Sequence, residues 1–560
     1  MVNVQIDGAW YQVPRGTRMI EACRLAGVIV PHYCYHPKLS SPGNCRMCLV
    51  QSGMPPRTNP GEEPKRDGQG YEPILWGPRP IIACANTVAE NMGIRTKGDL
   101  VEGCRKSVME FLLINHPLDC PICDQAGECR LQELSVGYGR GSSRFVDMKV
   151  KKPKNVPVGP RVRLDDERCI LCSRCIRFMD EVAGDPVLGF TDRGTHTTLT
   201  VHPGRLLDSN YSLNTVDICP VGALTSTDFR FHMRVWFLKE TPSIDVNCGT
   251  GSNITIWTRN NTIHRITPRH NDQVNSCWLP DSHRLNFHYI DSDARLTIPM
   301  TKGGRATTTA EAISSAAGKL KSLAPQSIAI IASGRMTNEE LFLTRTLAAE
   351  LGTSQLALVP RTGEPDTLLI AADRNPNTTG AKLIWETSDP SEKLAAIREG
   401  VRNGTIKGLL VLGEDIITDA GFTAGDLAKP EFILHTHILA NPTANAAHLV
   451  LPASAFAEKS GSMVNLSGRL QKLNNAVTAP GEARDDWEIL RDLILALQGA
   501  SAGPASITEV FAAIAQAVPA FQDMSFAKIG TPGIPITETG YQIPLLQNER
   551  ARKAAGQITG

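Results

Sequence analysis

The chain has 560 residues, 58 Lys and Arg against 57 Asp and Glu, a net charge of +1 and only 5% aromatic residues. This balance supplies no field to draw in nucleic acid or an anionic membrane, and so few aromatics leave little to stack on bases. No apolar run approaches the roughly 20 residues that span a bilayer, and the length has room for roughly three to five domains.

Of 15 cysteines, 13 lie before residue 220, and the last, Cys277, leaves 283 residues without one. The start of the chain lacks a basic segment followed by an apolar core, so no signal or transit peptide is expected. In a reducing compartment, clustered cysteines point to metal or catalysis rather than disulfides. A front half that holds metal and a back half that does not is the expected organisation.

Val2–Ile6 alternates like a strand, and a second strand and a helix with Met19, Ile20, Ala22 and Leu25 follow. Cys34, Cys45, Cys48 and Cys84 then stand in the spacing C-x10-C-x2-C-x35-C, the last within the strand-like run IIACANTV. Gly43 and Asn44 suit a loop wrapped closely on an inorganic core, its amides turned to sulfur. The spacing resembles the [2Fe–2S] domain of plant-type and adrenodoxin-like ferredoxins, which implies a ferredoxin-like β-grasp fold. The alternative is that fold with loop cysteines and no cluster. Residues 53–80, rich in Pro, Gly and charge, are expected to form a surface insertion.

A helical stretch at 108–114 leads into HPLDCPICDQAGECRLQEL, which sets His116, Cys120, Cys123 and Cys129 as H-x3-C-x2-C-x5-C. Imidazole in place of one thiolate makes a cluster less negative by one unit and raises its potential relative to an all-Cys site. Structural zinc is the rival occupant, and an ordinary core or surface role for His116 the bland one. A linker-like stretch, 150–160, follows. ERCILCSRCIRF then supplies Cys169, Cys172 and Cys175, and DICPVGALT supplies Cys219 with Pro220 behind it. The C-P ending matches bacterial-type [4Fe–4S] runs, and the lack of a second triplet indicates one cubane here.

A [2Fe–2S] domain, then HPLDCPICDQAGECRLQ, then RCILCSRCIRF and CPVGALT is an order that resembles the large iron–sulfur (75-kDa, or G-type) family of respiratory complex I over residues 1–300. The same front module is similar to those of iron-only hydrogenases, the diaphorase part of NAD-linked hydrogenases and some formate dehydrogenases. An iron-only hydrogenase needs further cysteines after residue 220, and a formate dehydrogenase needs pterin machinery. A non-redox alternative is a zinc-stabilised scaffold.

Residues 241–287 resemble the small iron–sulfur subdomain that opens molybdopterin oxidoreductases. Of its cysteine triplet, however, only Cys248 remains within 245–253; Pro280 stands before Asp281, and Cys277 lies three residues early. A fourth cluster is therefore expected to be absent, with Cys23, Cys104 and Cys248 read as buried fillers. From about 300 to 500 strand and helix alternate: SIAIIAS, a helix over 338–351, then GLLVLGED, as in an α/β fold. ANPTANAAHLVLPASAFAEKSGSMVNLSGRLQ resembles the same molybdopterin family, yet the domain is short. No molybdopterin is expected, and Glu458, Asn465 and Arg469 are assigned to organising loops.

The expected fold class is α+β, multidomain. Its parts are a [2Fe–2S] domain at 1–90, a one-histidine, three-cysteine [4Fe–4S] domain at 91–148, and a four-cysteine [4Fe–4S] domain at 149–238. A degenerate iron–sulfur subdomain at 239–298, a truncated α/β domain at 299–500 and a weakly structured tail at 501–560 complete it. The resemblance implies an electron-transfer subunit of NADH:quinone oxidoreductase with no bond-making site of its own. It takes electrons from a flavin/NADH-binding subunit at the first cluster, passes them to the all-Cys [4Fe–4S] cluster and then to the His-ligated one. From there they go to quinone-proximal iron–sulfur subunits. The expected place is the peripheral arm, on the cytoplasmic side of a bacterial inner membrane, touching the membrane only through the complex. No GxGxxG or Walker-type sequence is present, in keeping with NADH and flavin being bound elsewhere.

Overall fold

The computed structural model describes residues 1–57, 66–68 and 70–559. The chain forms two compact units, Met1–Phe237 with Asn548–Gly560, and Leu238–Gln547.

The first unit opens on the hairpin Val2–Ile6 and Ala9–Val13, paired Val4 to Tyr11. The strand Met92–Arg95 lies parallel to Val2–Ile6 on its other edge, with Val4 opposite Met92, and pairs antiparallel with Leu49–Met54. Val2, Val4 and Ile6 point inward by the period-2 rule and meet Met19, Ile20 and Cys23 of the helix Met19–Leu25. Cys84 lies beyond the strand it was expected to occupy: pairing stops at Ile81–Ile82, and Cys84 sits in the turn that follows. A ladder strand commits its backbone to a neighbour and sends alternate side chains to opposite faces, so a turn is what aims this thiol at a shared centre. Residues 58–65 and 69 of the expected insertion lie outside the described residues.

The helix Asp99–Leu113 buries Val101, Arg105 and Met109, one stripe at four-residue spacing. Arg105 donates to the carbonyls of Thr96 (2.8 Å) and Leu49 (3.0 Å), which ties this helix to the first sheet. The stretch 150–160 is not a free linker. Val156–Pro157 joins a three-stranded sheet with Val162–Leu164 and Leu224–Ser226. Asn155 N–H donates to Asp165 at 2.9 Å, and Lys154 pairs with Glu167 at 2.9 Å. These acids lie beyond the stretch, so its own composition could not show them.

The second unit begins with the antiparallel meander Lys239–Ile244, Asn253–Arg259 and Thr262–Pro268. Its main sheet runs, in space, Arg305–Ala306, Met300–Thr301, Leu449–Pro452, Phe432–His437, Gly408–Leu412, Ile328–Ser333 and Leu356–Val359, the last five parallel. Ile328, Ile330 and Ala332 enter one apolar core and Ala329 and Ile331 the other, so helices cover both faces.

The stretch 501–560 is far from weakly structured. It carries the helices Ile507–Ala517 and Pro544–Ala554, and Asn548–Gly560 belongs to the first unit. Lys38 pairs with Glu549 at 3.1 Å, both buried, Arg552 pairs with Glu181, and Thr559 N–H donates to the Pro37 carbonyl at 3.0 Å. Gly530 closes the short helix Phe526–Ile529 as its C-cap. The partners that hold the segment lie about 370 to 520 residues upstream and leave no local trace.

Candidate metal centres

The four residues of the first set come together. Cys34 and Cys84 are fully buried and Cys48 nearly so. The Cys34 thiol is within hydrogen-bonding reach of the thiols of Cys45 and Cys84, and Cys48 within reach of Cys84. The loop turns through left-handed Gly43 (φ 65°) and Arg46 (φ 61°). A Cβ on Gly43 would stand 2.8 Å from Ile82 Cδ1, so glycine lets this loop lie on the strand before Cys84.

His116 follows the C-terminus of the helix Asp99–Leu113, Cys120 opens a 3-10 turn, and Cys129 is the N-cap of the helix Arg130–Tyr138. With Cys123 they line one cavity of about 530 Å³. Burial, with Lys149 and Arg168 nearby, brings His116 down to about 4. The ring is therefore neutral at pH 7 and keeps a nitrogen lone pair for a metal. The Gln125 N–H points at the Cys123 sulfur, and those of Leu131 and Gln132 at Cys129.

The third set is held by an unusual loop. Leu171 (φ 54°) and Ser173 (φ 59°) both sit in the left-handed region, at a cost of about 1–3 kcal/mol each for non-glycine residues. Alternating hands of this kind turn successive N–H groups inward and make a concave anion site. Here the anions are sulfurs: Leu171 N–H donates to Cys169 Sγ at 3.4 Å, and the N–H groups of Arg174 and Ile176 face Cys172 and Cys175. Val221, Ala223 and Leu224 turn theirs to Cys219. Burial pushes the Cys219 thiol up to about 11 and raises Cys169 and Cys175 as well. Thiols this reluctant to ionise lose their protons when a metal coordinates them.

The sets are joined by residues that motif spacing did not single out. Arg177 donates through Nη2 to the carbonyls of Cys34 and Cys172, and through Nη1 to that of Ser40. Arg174 bridges the carbonyls of Tyr35 (2.5 Å) and Ile218 (3.2 Å), and Asn44 reaches the Leu171 carbonyl at 3.3 Å. The first set therefore abuts the third. The loop Cys219-Pro220-Val221-Gly222 in turn abuts the second. A Cβ on Gly222 would fall 2.2 Å from Cys123 Sγ, Pro220 O lies 3.9 Å from Cys129 Sγ, and Arg168 reaches both Gly222 O and Asp119. The available signal was the arginine interleaved with cysteine in ERCILCSRCIRF and the small residue after C-P-V. Of the unassigned cysteines in this unit, Cys23 is fully buried, whereas Cys104 is only partly so.

In the second unit, the residues assigned to loops do hold loops. Glu458 pairs with Arg295 and accepts from Ala455 N–H at 2.6 Å. Asn465 caps Ser467 and Arg469, and Arg469 donates to the Gly533 carbonyl at 2.7 Å. A crevice of about 340 Å³ lies at the carboxyl ends of the parallel strands, where Ser333 and Gly413 mark the point at which strand order reverses. Lys459, which lines it, is committed to Glu340 at 2.9 Å and Asp486 at 3.6 Å.

Family models match in the same order as the sets. A 2Fe-2S iron-sulfur cluster binding domain covers residues 1–98, the NADH-ubiquinone oxidoreductase-G iron-sulfur binding region 105–144, and the NADH-quinone oxidoreductase subunit 3 ferredoxin-like domain 159–225. An NADH-ubiquinone oxidoreductase NDSU1/NuoG-like 4Fe-4S domain covers 238–288, and molybdopterin oxidoreductase 377–496. The chain is 31% identical over 611 residues to the NADH-quinone oxidoreductase G subunit of Rickettsia conorii, spanning 88% of this chain and 87% of the relative. It is likewise 31% identical to the mitochondrial NADH-ubiquinone oxidoreductase 78 kDa subunit of Neurospora crassa, spanning 88% and 80%. The NADH-quinone oxidoreductase G subunit of Rickettsia felis is 40% identical over 361 residues, which cover 64% of this chain and half the length (50%) of that protein. A crystal structure of NAD+-reducing [NiFe]-hydrogenase in the H2-reduced state is similar with a TM-score of 0.34 and 26% identity, over 42% of this chain and 91% of that one.

Proposed function

This chain belongs to the family of the NADH-quinone oxidoreductase G subunit, and on that premise we propose that it is the iron–sulfur electron-transfer subunit of such a complex. Cys34, Cys45, Cys48 and Cys84 would hold a [2Fe–2S] cluster. Cys169, Cys172, Cys175 and Cys219 would hold one [4Fe–4S] cluster, and His116, Cys120, Cys123 and Cys129 the other. Four convergent soft donors per set, with amide N–H groups aimed at sulfur, fit these groups. Bound there, the clusters supply single-electron carriage between a flavin/NADH-binding partner and quinone-proximal iron–sulfur subunits, within a complex that couples it to ion translocation.

The observation that carries this reading is the series of contacts among the sets, first to third through Arg174 and Arg177, third to second through Arg168 and Gly222. The chain's own residues fix distance, exclude water and place positive charge between centres that become more negative on reduction. Nothing in these sets makes or breaks substrate bonds.

No helix among the described residues is long and apolar enough to cross a membrane. Attachment to the cytoplasmic face of a bacterial inner membrane would come through the partners. The second unit has the molybdopterin-oxidoreductase fold, and we assign it no pterin: the cation of Lys459 in its crevice is already neutralised by Glu340 and Asp486. The six segments 1–90, 91–148, 149–238, 239–298, 299–500 and 501–560 are the proposed domain division, with Met92–Arg95 completing the sheet of the first and Asn548–Gly560 belonging to the first unit.

Anaerobic purification followed by iron, acid-labile sulfide and EPR analysis tests the reading. The expected result is about ten iron atoms per chain, in one binuclear and two cubane signals. Two or three zinc ions with little iron would replace it with a zinc-stabilised scaffold.

A further inference from the structure

Residues 238–288 match a 4Fe-4S domain, but this chain does not supply the donors of a cubane there. The segment holds two cysteines, Cys248 and Cys277. What converges instead, among the described residues, is Asp245, Cys248 and His283, all buried, with one donor atom of each within 4.8 Å of the others. Cys277 is not part of the group.

Local structure explains the convergence. Asp245 directly follows the strand Lys239–Ile244, Cys248 sits in the loop before the strand Asn253–Arg259, and His283 lies in the short helix Asp281–Arg284. The Asp245 carboxylate is fixed on both sides. Oδ1 accepts from Asn247 N (3.1 Å) and Nδ2 (2.6 Å), and Oδ2 faces His283 Nδ1 at 2.6 Å. Asn247 Nδ2 also reaches the His283 carbonyl at 3.4 Å, so one side chain holds both ligand-bearing elements.

The surroundings of Cys248 argue against an inert filler. Its sulfur is met by the backbone N–H groups of Ala371 and Thr250, while the Thr250 hydroxyl gives its proton to the Leu369 carbonyl at 2.7 Å. A neutral thiol is a weak acceptor, whereas two amide donors suit a sulfur that a metal has deprotonated. Cys248 and Asp245 stand at 0% and 3% exposure, where a bound dication balances the charges of the carboxylate and of the thiolate that it creates.

We propose that Asp245, Cys248 and His283 bind a single zinc ion through three protein donors and a water, at a site standing where the family model expects a cubane. Mixed sulfur, nitrogen and oxygen donors suit zinc, a borderline cation indifferent to donor geometry. Binding turns the Cys248 S–H into a Zn–S bond, and its proton leaves to solvent. The site is redox-silent, so it adds no station to the electron path, and it is independent of whether the three other sets carry clusters.

The test uses the full chain, purified anaerobically and incubated with Zn2+ before desalting, alongside Cys248→Ala and His283→Gln. The expected result is about one zinc per wild-type chain, under a tenth of that in either variant, and unchanged cluster iron in all three. X-ray absorption at the zinc edge of the wild type should show one sulfur at about 2.3 Å and nitrogen or oxygen at about 2.0 Å. That spectrum decides the matter if the variants fail to fold. No zinc in the wild type, zinc retained by folded variants, three or four sulfurs around it, or four iron atoms beyond those of the three sets would each overturn the proposal.

Discussion

The guanidinium of Arg177 rests on the carbonyl oxygen of Cys34, a residue 143 positions away in sequence, while the same Nη2 reaches the Cys172 carbonyl at 3.5 Å. One buried cation thus touches the backbone of two ligand sets. A positive charge there favours the reduced, more negative state of each neighbour. Arg177→Met should lower the midpoint potentials of the first and third centres together, by roughly tens of millivolts, with the second less affected. The loss of donors to three carbonyls should also destabilise the unit by about 1–3 kcal/mol per orphaned group. EPR-monitored redox titration separates the two effects.

Cys34→Ala and Cys172→Ala should each abolish one EPR signal and stop NADH:quinone activity in the assembled complex, because the contacts offer a single series. NADH oxidation by artificial acceptors at the flavin partner should partly survive. Normal quinone reduction in the Cys172 variant would remove the third set from the path.

His116→Cys should keep a [4Fe–4S] cluster and add one negative charge, lowering its potential relative to wild type. His116→Ala, which offers no ligand, should lose or destabilise it. Acid adds a second readout. His116 is held at about 4 by burial and by Lys149 and Arg168, against about 6.5 in an unfolded chain. Above pH 6.5 both states are neutral and this residue imposes no penalty. Between 6.5 and 4 the unfolded chain binds a proton that the folded one refuses, so stability falls with pH. The urea midpoint of the metal-free chain should fall across that window.

Gly222→Ala should cost the second centre rather than the third. Although Gly222 belongs to the loop of Cys219, its missing Cβ leaves room for Cys123 Sγ, which a methyl would approach to 2.2 Å. Iron content should drop by about four atoms per chain, with the EPR signal of the third centre retained.

Lys459→Ala should strand the Glu340 carboxylate, which is fully buried and salt-bridged to Lys459 at 2.9 Å. Removing one partner of such a pair costs about 3–5 kcal/mol. The expected outcome is a lower urea midpoint for the second unit, with cluster absorbance in the first unchanged.

Local chemistry is what the sequence settled. Triplets such as Cys169, Cys172 and Cys175 are close in the chain, so their spacing alone fixes how they can meet one centre. The unbroken apolar run Ile328 to Ala332 marked a buried strand, and its side chains point alternately into two cores. Even distant Cys219 was marked by the proline that follows it, and Cys84 by its place in the ferredoxin-like spacing. What the sequence could not state was any relation depending on how separate segments pack. Arg177 looked like an ordinary helix residue until Cys34 was placed beside it, and Gly222 like a turn residue until Cys123 was. The last residues read as tail because Lys38, Tyr35 and Glu181, which hold them, lie far upstream. Cys248 read as filler because its neighbours Asp245 and His283 are not cysteines, and only folding shows that they share its site. Periodicity and ligand spacing are short-range properties of a chain, whereas charge placement and close approach are decided only once the packed structure exists.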